Sequence, residues 1–330
     1  MADTNTQGIF SISEVRSRQL AGFWPLDTTG LIYGWHTGGV NPALTPDTLS
    51  SVSRIDYSND TATATARGNL SAIRKDGSGV NNTTYGWVVG AAVVTNGTSA
   101  IDRITYSNDG VTATLRGTLT VARGAQASSC NAYYGWFGGG FTTVVVSVVD
   151  RITYATDTAL AVAKGPLSLA RRWPMGNGNA MYGWFVGGSS PSVIYSIIDR
   201  INYAVDTVTA SVRGPLSVAT QTMAATGNSD YGWWGAGGIS GTRTSSTNRV
   251  DYANDTATTS LRANFSDGKS SMAASGTPAY GWFSGGYTNA GPTVTTVERL
   301  EYLTDTTAPS IRGPLADIKA CHIAVGGFPN

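Results

Sequence analysis

The stretch that decides the fold is Tyr134–Ser168, "YGWFGGGFTTVVVSVVDRITYATDTALAVAKGPLS". It holds an aromatic run ending in glycines, an apolar run ending in Arg-Ile-x-Tyr, an Asp-bearing turn, and an alternating run closed by a basic residue and Gly. Each part recurs. The tyrosines of the YGW run stand at Tyr33, Tyr85, Tyr134, Tyr182, Tyr231 and Tyr280, separated by 52, 49, 48, 49 and 49 residues. The second run recurs as "RIDY" at Arg54, "RITY" at Arg103 and Arg151, "RINY" at Arg200, "RVDY" at Arg249 and "RLEY" at Arg299. Three residues after each of those tyrosines stands an acid: Asp60, Asp109, Asp157, Asp206, Asp255 and Asp305. A basic residue follows: Arg67, Arg116, Lys164, Arg213, Arg262 and Arg312.

One copy reads as four short strands. The innermost, a, is small and bland ("MAATGN" at 223–228). Strand b is the YGW run. Strand c is "VVDRITY" at 148–154, and d alternates, as in "TATATARG" at 61–68. Between c and d, "SND" or "ATD" is a turn in which Asp is expected to bond the backbone that follows. Four strands per unit of this length is the signature of a propeller blade. The first copy is entered at strand b ("LIYGWHTGG", 31–39), and the last is followed by a lone strand a ("CHIAVGG", 321–327). That strand is expected to complete the first blade and close the ring, removing an open sheet edge. The expected fold is therefore all-β: a six-bladed propeller over 31–330, preceded by a short segment at 1–30 with helix grammar.

Composition sets the limits on partners. Net charge is +1 and only 13% of residues are charged, so there is no basic excess to hold a phosphate backbone. The start, "MADTNTQGIF", has no basic region followed by a long apolar core, and no stretch approaches a membrane span. A Thr-, Ser-, Asn- and Gly-rich surface without an export signal fits a virus particle assembled in the cytoplasm and released by lysis. The two cysteines, Cys130 and Cys321, are expected to be free.

The pattern Tyr, four residues, Gly-Gly, then a strand ending Arg-Ile-x-Tyr, then "RGPLS" is similar to the Kelch repeat family over about 31–327. It departs from that family on strand d, where Kelch repeats carry Trp and this chain has Thr63, Thr112, Leu160, Thr209, Thr258 and Ala308. Its tryptophans stand on strand b: Trp35, Trp87, Trp136, Trp184, Trp233 and Trp282. The stretch "QGIFSISEVRSRQLAGFWP" before such repeats resembles the N-terminus of repeat proteins of tailed phages, notably of marine bacteria, which implies a virion or appendage protein. Within it, Ser11 and Glu14 form a capping box, and Phe10, Ile12, Val15, Leu20, Phe23 and Trp24 are candidate docking residues. The helix is too short to stand alone, so it either covers the propeller or docks on another virion subunit.

Enzyme readings fail on inventory. There are two histidines, His36 and His322, expected to be neighbours in the closing blade with no third metal ligand. No P-loop, GxSxG or HExxH is present. Six equivalent aspartates cannot all be catalytic, so no catalytic residue, metal or cofactor is expected.

Residues present in every copy serve folding, so function is sought where copies differ. The b–c and d–a connections emerge on one face and hold those differences. Candidate contact residues are Arg171, Arg172, Trp173 and Met175 of "RRWPMGN", with Phe141, Tyr195, Trp234 and Arg243. Trp173 alternatively fills the channel mouth. The expected role is a non-enzymatic phage virion protein, a tail or capsid appendage and possible homo-oligomer. Its loops would contact a host-surface glycan or protein, or a neighbouring subunit, without nucleic acid or membrane insertion. A lectin or carbohydrate-active propeller, and a cellular Kelch-type interaction module, are the alternatives.

Overall fold

A computed structural model describes residues 32–91 and 97–326. They form six four-stranded antiparallel sheets arranged as the blades of a propeller. From the channel outward, blade one is Ile323–Gly326, Tyr33–Thr37, Val52–Asp56 and Thr65–Arg67. Blade two is Lys75–Asn81, Tyr85–Ala91, Thr98–Thr105 and Thr114–Arg123. Blade three is Ala127–Cys130, Tyr134–Gly138, Val149–Thr153 and Val162–Lys164, and blade four is Met175–Gly178, Tyr182–Val186, Ile198–Asn202 and Ser211–Val212. Blade five is Ala224–Gly227, Tyr231–Ile239, Thr242–Asp251 and Ser260–Asn264. Blade six is Ala273–Gly276, Tyr280–Ser284, Val297–Glu301 and Ser310–Arg312. The C-terminal strand pairs with the first YGW strand, Gly34 opposite Gly326 and Thr37 opposite Ile323, so the first blade is built from both ends of the described chain.

The recurring letters become one joint, made six times. In each blade the strand-b Trp is fully buried, and its ring stacks on the strand-c Tyr of the next blade at 3.8–4.1 Å between centroids. Its indole N–H donates to the turn Asp of that next blade at 2.7–2.9 Å. The strand-c Arg reaches the same carboxylate at 2.9–3.0 Å. The basic residue of strand d adds a second cation. The series runs Trp35 to Asp109, Trp87 to Asp157, Trp136 to Asp206, Trp184 to Asp255, Trp233 to Asp305, and back from Trp282 to Asp60. Tyr134 and its equivalents lie under the Arg of their own blade, with the guanidinium carbon 4.1–4.6 Å from the ring centre.

Two expectations change here. The turn aspartates do not bond their own turn. In five blades Tyr-x-x forms a single 3-10 turn with Asp at its end, and that geometry turns the carboxylate outward to the preceding blade. Strand d is also shorter than its alternation implied: in "TATATARG" only Thr65–Arg67 pairs. The Gly after the basic residue is explained by contact. A Cβ at Gly165 would stand 1.9 Å from the Val208 carbonyl, while its N–H donates to Asp206 O at 2.9 Å.

Candidate functional site: the loop face and the channel mouth

A second set of polar pairs lies inside each blade, under the loop face. The residue before the strand-c Arg is Asp102, Asp150, Asp199, Asn248, Glu298 or Ser53. Its partner comes from the end of strand d or from the d–a connection that follows it. Arg74 pairs with Asp102 at 2.7 Å, Arg123 with Asp150 at 2.6 Å, Arg171 with Asp199 at 2.8 Å and Lys269 with Glu298 at 2.8 Å. In blade five both charges are gone: Thr220 stands at the position of Arg171 with its hydroxyl on the Val218 carbonyl, and the Asn248 amide oxygen accepts from Ser217 and Thr259. In blade one Ser53 takes the acid's place and Asp317 moves into the connection, bonding both Ser53 and Lys319.

This fixes the fate of several candidate contacts. Arg171 is not a surface residue: its side chain is 0% exposed and its terminal guanidinium nitrogens donate to Asp199 and the carbonyls of Leu169 and Phe185. Trp234 is likewise fully buried, donating to the Met175 carbonyl at 3.1 Å. Met175 begins strand a and packs on the cluster of Trp184 and Trp234, so it belongs to the interior side of the mouth. Arg172, by contrast, lies 4.1 Å from the Trp173 ring and 5.6 Å from that of Phe141, joining these two aromatics of blades three and four. Tyr195 is half-buried, its N–H on the Gly188 carbonyl. Arg243 is held by Ser270 Oγ at 3.0 Å and Thr288 O at 2.8 Å, across the seam between blades five and six. Phe10, Ile12, Val15, Leu20, Phe23 and Trp24 lie outside the described residues.

Two residues after each inward partner the chain turns into the channel. The residues at that point are Asp76, Ala125, Trp173, Thr222, Ser271 and Cys321, one per blade, all left-handed with φ of 47–57°. Each N–H donates to the carbonyl of the equivalent residue in the adjacent blade: Asp76 to Cys321, Ala125 to Asp76, Trp173 to Ala125, Thr222 to Trp173, Ser271 to Thr222, Cys321 to Ser271. These six hydrogen bonds, 2.7–3.3 Å long, form a closed ring about the axis. It was invisible in the sequence because no glycine marks it; the only available signal was six unlike residues at one equivalent position.

The ring divides the channel. Below it runs a cavity of about 120 Å³ lined by the strand-a backbone with Ser129, Thr226 and Ser275 among its side chains. Above it, on the loop face, opens a pocket of about 430 Å³ that includes Asp76, Trp173, Gln221, Arg243, Ser271 and Cys321. A wider groove of about 770 Å³ runs beside it between blades four and five, from Arg172 past Pro191 and Val193 to Ile239. Burial raises the Asp76 carboxyl, against the lowering effect of the Cys321 thiol, Lys75 and the Trp173 indole that face it. Burial also pushes the Cys321 thiol well up, which makes it a poor nucleophile. Cys321 and Cys130 are both free.

His36 and His322 do meet, through a third residue. The buried Ser284 hydroxyl lies 2.8 Å from His36 Nδ1 and 2.9 Å from His322 Nε2, and His36 Nε2 is 3.1 Å from Ser275 Oγ. Burial, then the nearby Lys319 charge, lowers the His36 pKa to about 3; burial lowers that of His322 as well. Two neutral imidazoles tie blade one to blade six. Among the described residues no three His, Cys, Asp or Glu side chains gather as a metal site.

The fold and this face define a six-bladed β-propeller with a closed hydrogen-bonded mouth. No family model and no curated protein matches the chain. Among solved structures it is similar to that of YjhT, with a TM-score of 0.64 at 13% identity over 76% of this chain and 86% of that one. At that identity the likeness is one of fold, and a propeller ring does not by itself select a function.

Proposed function

We propose that this chain is a non-enzymatic structural component of a phage virion, a tail or capsid appendage on a divergent Kelch-like propeller. Its loop face meets a host surface or a neighbouring subunit. The observation that carries the reading is the polarity of the disk. Strand b of blade one starts at Tyr33, beside Gly326 at the end of strand a, and runs toward Thr37 beside Ile323. The chain therefore enters on the face of the a–b and c–d turns. The b–c and d–a connections, where the copies differ, lie on the other face. Anchoring through residues 1–30 leaves the variable face pointing outward.

The acid inventory supports a structural role. The six turn aspartates are spent on the interblade joints, and Asp102, Asp150, Asp199 and Glu298 on pairs within blades. The joined Phe141, Arg172 and Trp173 form an aromatic–arginine patch on the outward face, the composition of a contact hot spot. The test is particle assembly. Removing residues 1–30 is expected to leave a folded propeller that no longer enters the particle, and F141A with R172A is expected to leave incorporation intact and weaken adsorption to cells. Particles that incorporate the truncated chain normally would overturn the anchoring role.

A further inference from the structure

The mouth ring separates what the architecture requires from what it does not. Its hydrogen bonds use only backbone, so any side chain that tolerates a left-handed residue would serve. Glycine does so without strain, whereas a bulky or β-branched residue at positive φ is an outlier. Yet no copy uses glycine: the ring carries Asp76, Ala125, Trp173, Thr222, Ser271 and Cys321. Among the described residues these are six of the seven non-glycine residues with positive φ. Strain kept at one spot, where six equivalent positions present different chemistry, marks a functional site more readily than a scaffold.

The chemistry above the ring is specific. Trp173, half-buried, offers an aromatic wall. Asp76 supplies a carboxyl at the ring. Gln221 lines the same pocket, and its Oε1 is buried with no hydrogen-bond partner among the described residues. Arg243 is fixed through Ser270 and Thr288, which holds its guanidinium at the rim. Ser271 adds a hydroxyl. The pocket, about 430 Å³, falls within the size of small-ligand sites, roughly 300–1,000 Å³. A ligand matching it needs one apolar face for the indole, with donors for Asp76 and Gln221 and acceptors for Arg243 on its edge. A pyranose ring has these together: C–H bonds on one face and hydroxyls around the perimeter.

We propose that the channel mouth is a binding site for a single saccharide unit, stacked on Trp173 and hydrogen-bonded by Asp76, Gln221 and Arg243. The site does not depend on the virion role, and its failure would leave that reading standing. The test is saturation-transfer NMR on the full chain, with glucose, galactose, mannose and N-acetylglucosamine as separate probes, followed by titration of any that bind. W173G and D76G suit the left-handed backbone and so spare the ring, which an unchanged thermal transition would verify. Each is expected to weaken binding at least about tenfold, as loss of an anchoring contact does. L303A, in the exposed c–d turn of blade six on the opposite face, is expected to leave binding unchanged. Absence of transfer from all four sugars at millimolar concentration would overturn the proposal, as would binding that W173G leaves intact.

Discussion

At the scale of single residues, the joint at Asp206 shows how the repeat converts letters into stability. Its carboxylate accepts from Trp136 at 2.9 Å and meets Arg151 at 3.0 Å and Lys164 at 3.1 Å. Removing one member of a buried ion pair costs about 3–5 kcal/mol because its partners are left uncompensated. Here the cations remain 22% and 10% exposed, which screens part of that loss. D206A is expected to cost about 2–4 kcal/mol in urea unfolding, by that reasoning. W136F removes one donor and keeps the stack, so about 1–2 kcal/mol is expected. A D206A variant no weaker than W136F would contradict the joint as described. The histidines give a pH signature. His36 is held neutral by burial first and by Lys319 second, with its pKa lowered to about 3. The unfolded chain therefore binds a proton that the folded chain refuses between about pH 6.5 and 3. Stability is complete above that window and falls as the pH drops through it, by about 1.4 kcal/mol per pH unit per histidine at most. Thermal melts from pH 7 to 4 should show this slope in the wild type and a flatter one in H36N/H322N. Asp109 and Asp157 contribute below that range. Burial works to raise them, but hydrogen bonds from Arg67 and Trp35, and from Arg116 and Trp87, prevail and lower both, so acid loss from the joints persists in the variant.

At the scale of the blade, the inward pairs explain what could and could not be read in the sequence. The joints were legible because each uses letters that recur in register: Trp, Arg, Tyr and Asp stand at matching positions in every copy. Arg171 misled because two arginines beside a tryptophan look like an exposed hot spot. Only the alternation of the chain after Leu169, with Arg171 in, Arg172 out and Trp173 at the axis, separates them. Trp234 misled because it follows the repeated Trp233 and so looked surplus, whereas it fills the seam toward blade four. The mouth ring is a backbone conformation, and six unlike side chains conceal it. The inward pair itself is visible as exchange between copies. Blade five has Asn248 and Thr220 at the positions that Asp199 and Arg171 hold in blade four, so both charges are absent there. This predicts a coupled cycle in blade five. N248D alone places an unpaired carboxylate in the interior, and T220R alone an unpaired guanidinium; each is expected to destabilise by more than about 2 kcal/mol. The double variant should recover at least about 1 kcal/mol of their sum, the coupling expected of contacting residues. Additive losses in denaturant unfolding would mean that the two positions are not the equivalents of Asp199 and Arg171.

At the scale of the whole molecule, stability depends on a circle, and a circle has one weak place. Five blades are continuous in sequence. Blade one is assembled from Ile323–Gly326 and Tyr33–Arg67, and its strand a contributes Ile323 and Val325 to the core that contains Trp35, Val88 and Tyr106. The neighbouring seam to blade six is the one bridged by His36, Ser284 and His322. Cys321 also closes the mouth ring, accepting from Asp76 and donating to Ser271. A chain ending at Ala320 therefore loses a buried strand, one His of the bridge and two of the six ring hydrogen bonds in a single cut. It also exposes the inner edge of Tyr33–Thr37 to pairing with another molecule. Such a chain is expected to melt at least about 5 °C lower than the wild type, since a loss above about 3 kcal/mol shifts a domain of this size by roughly that much. It should also self-associate in size-exclusion chromatography. Because the missing piece is a strand with its own register, a peptide of residues 319–327 should bind the truncated chain and raise its melting temperature with concentration, as a ligand of the folded state does. A scrambled peptide should not. A truncated chain that melts like the wild type would show that the ring is held by its joints alone, and that the C-terminal strand is not its closure.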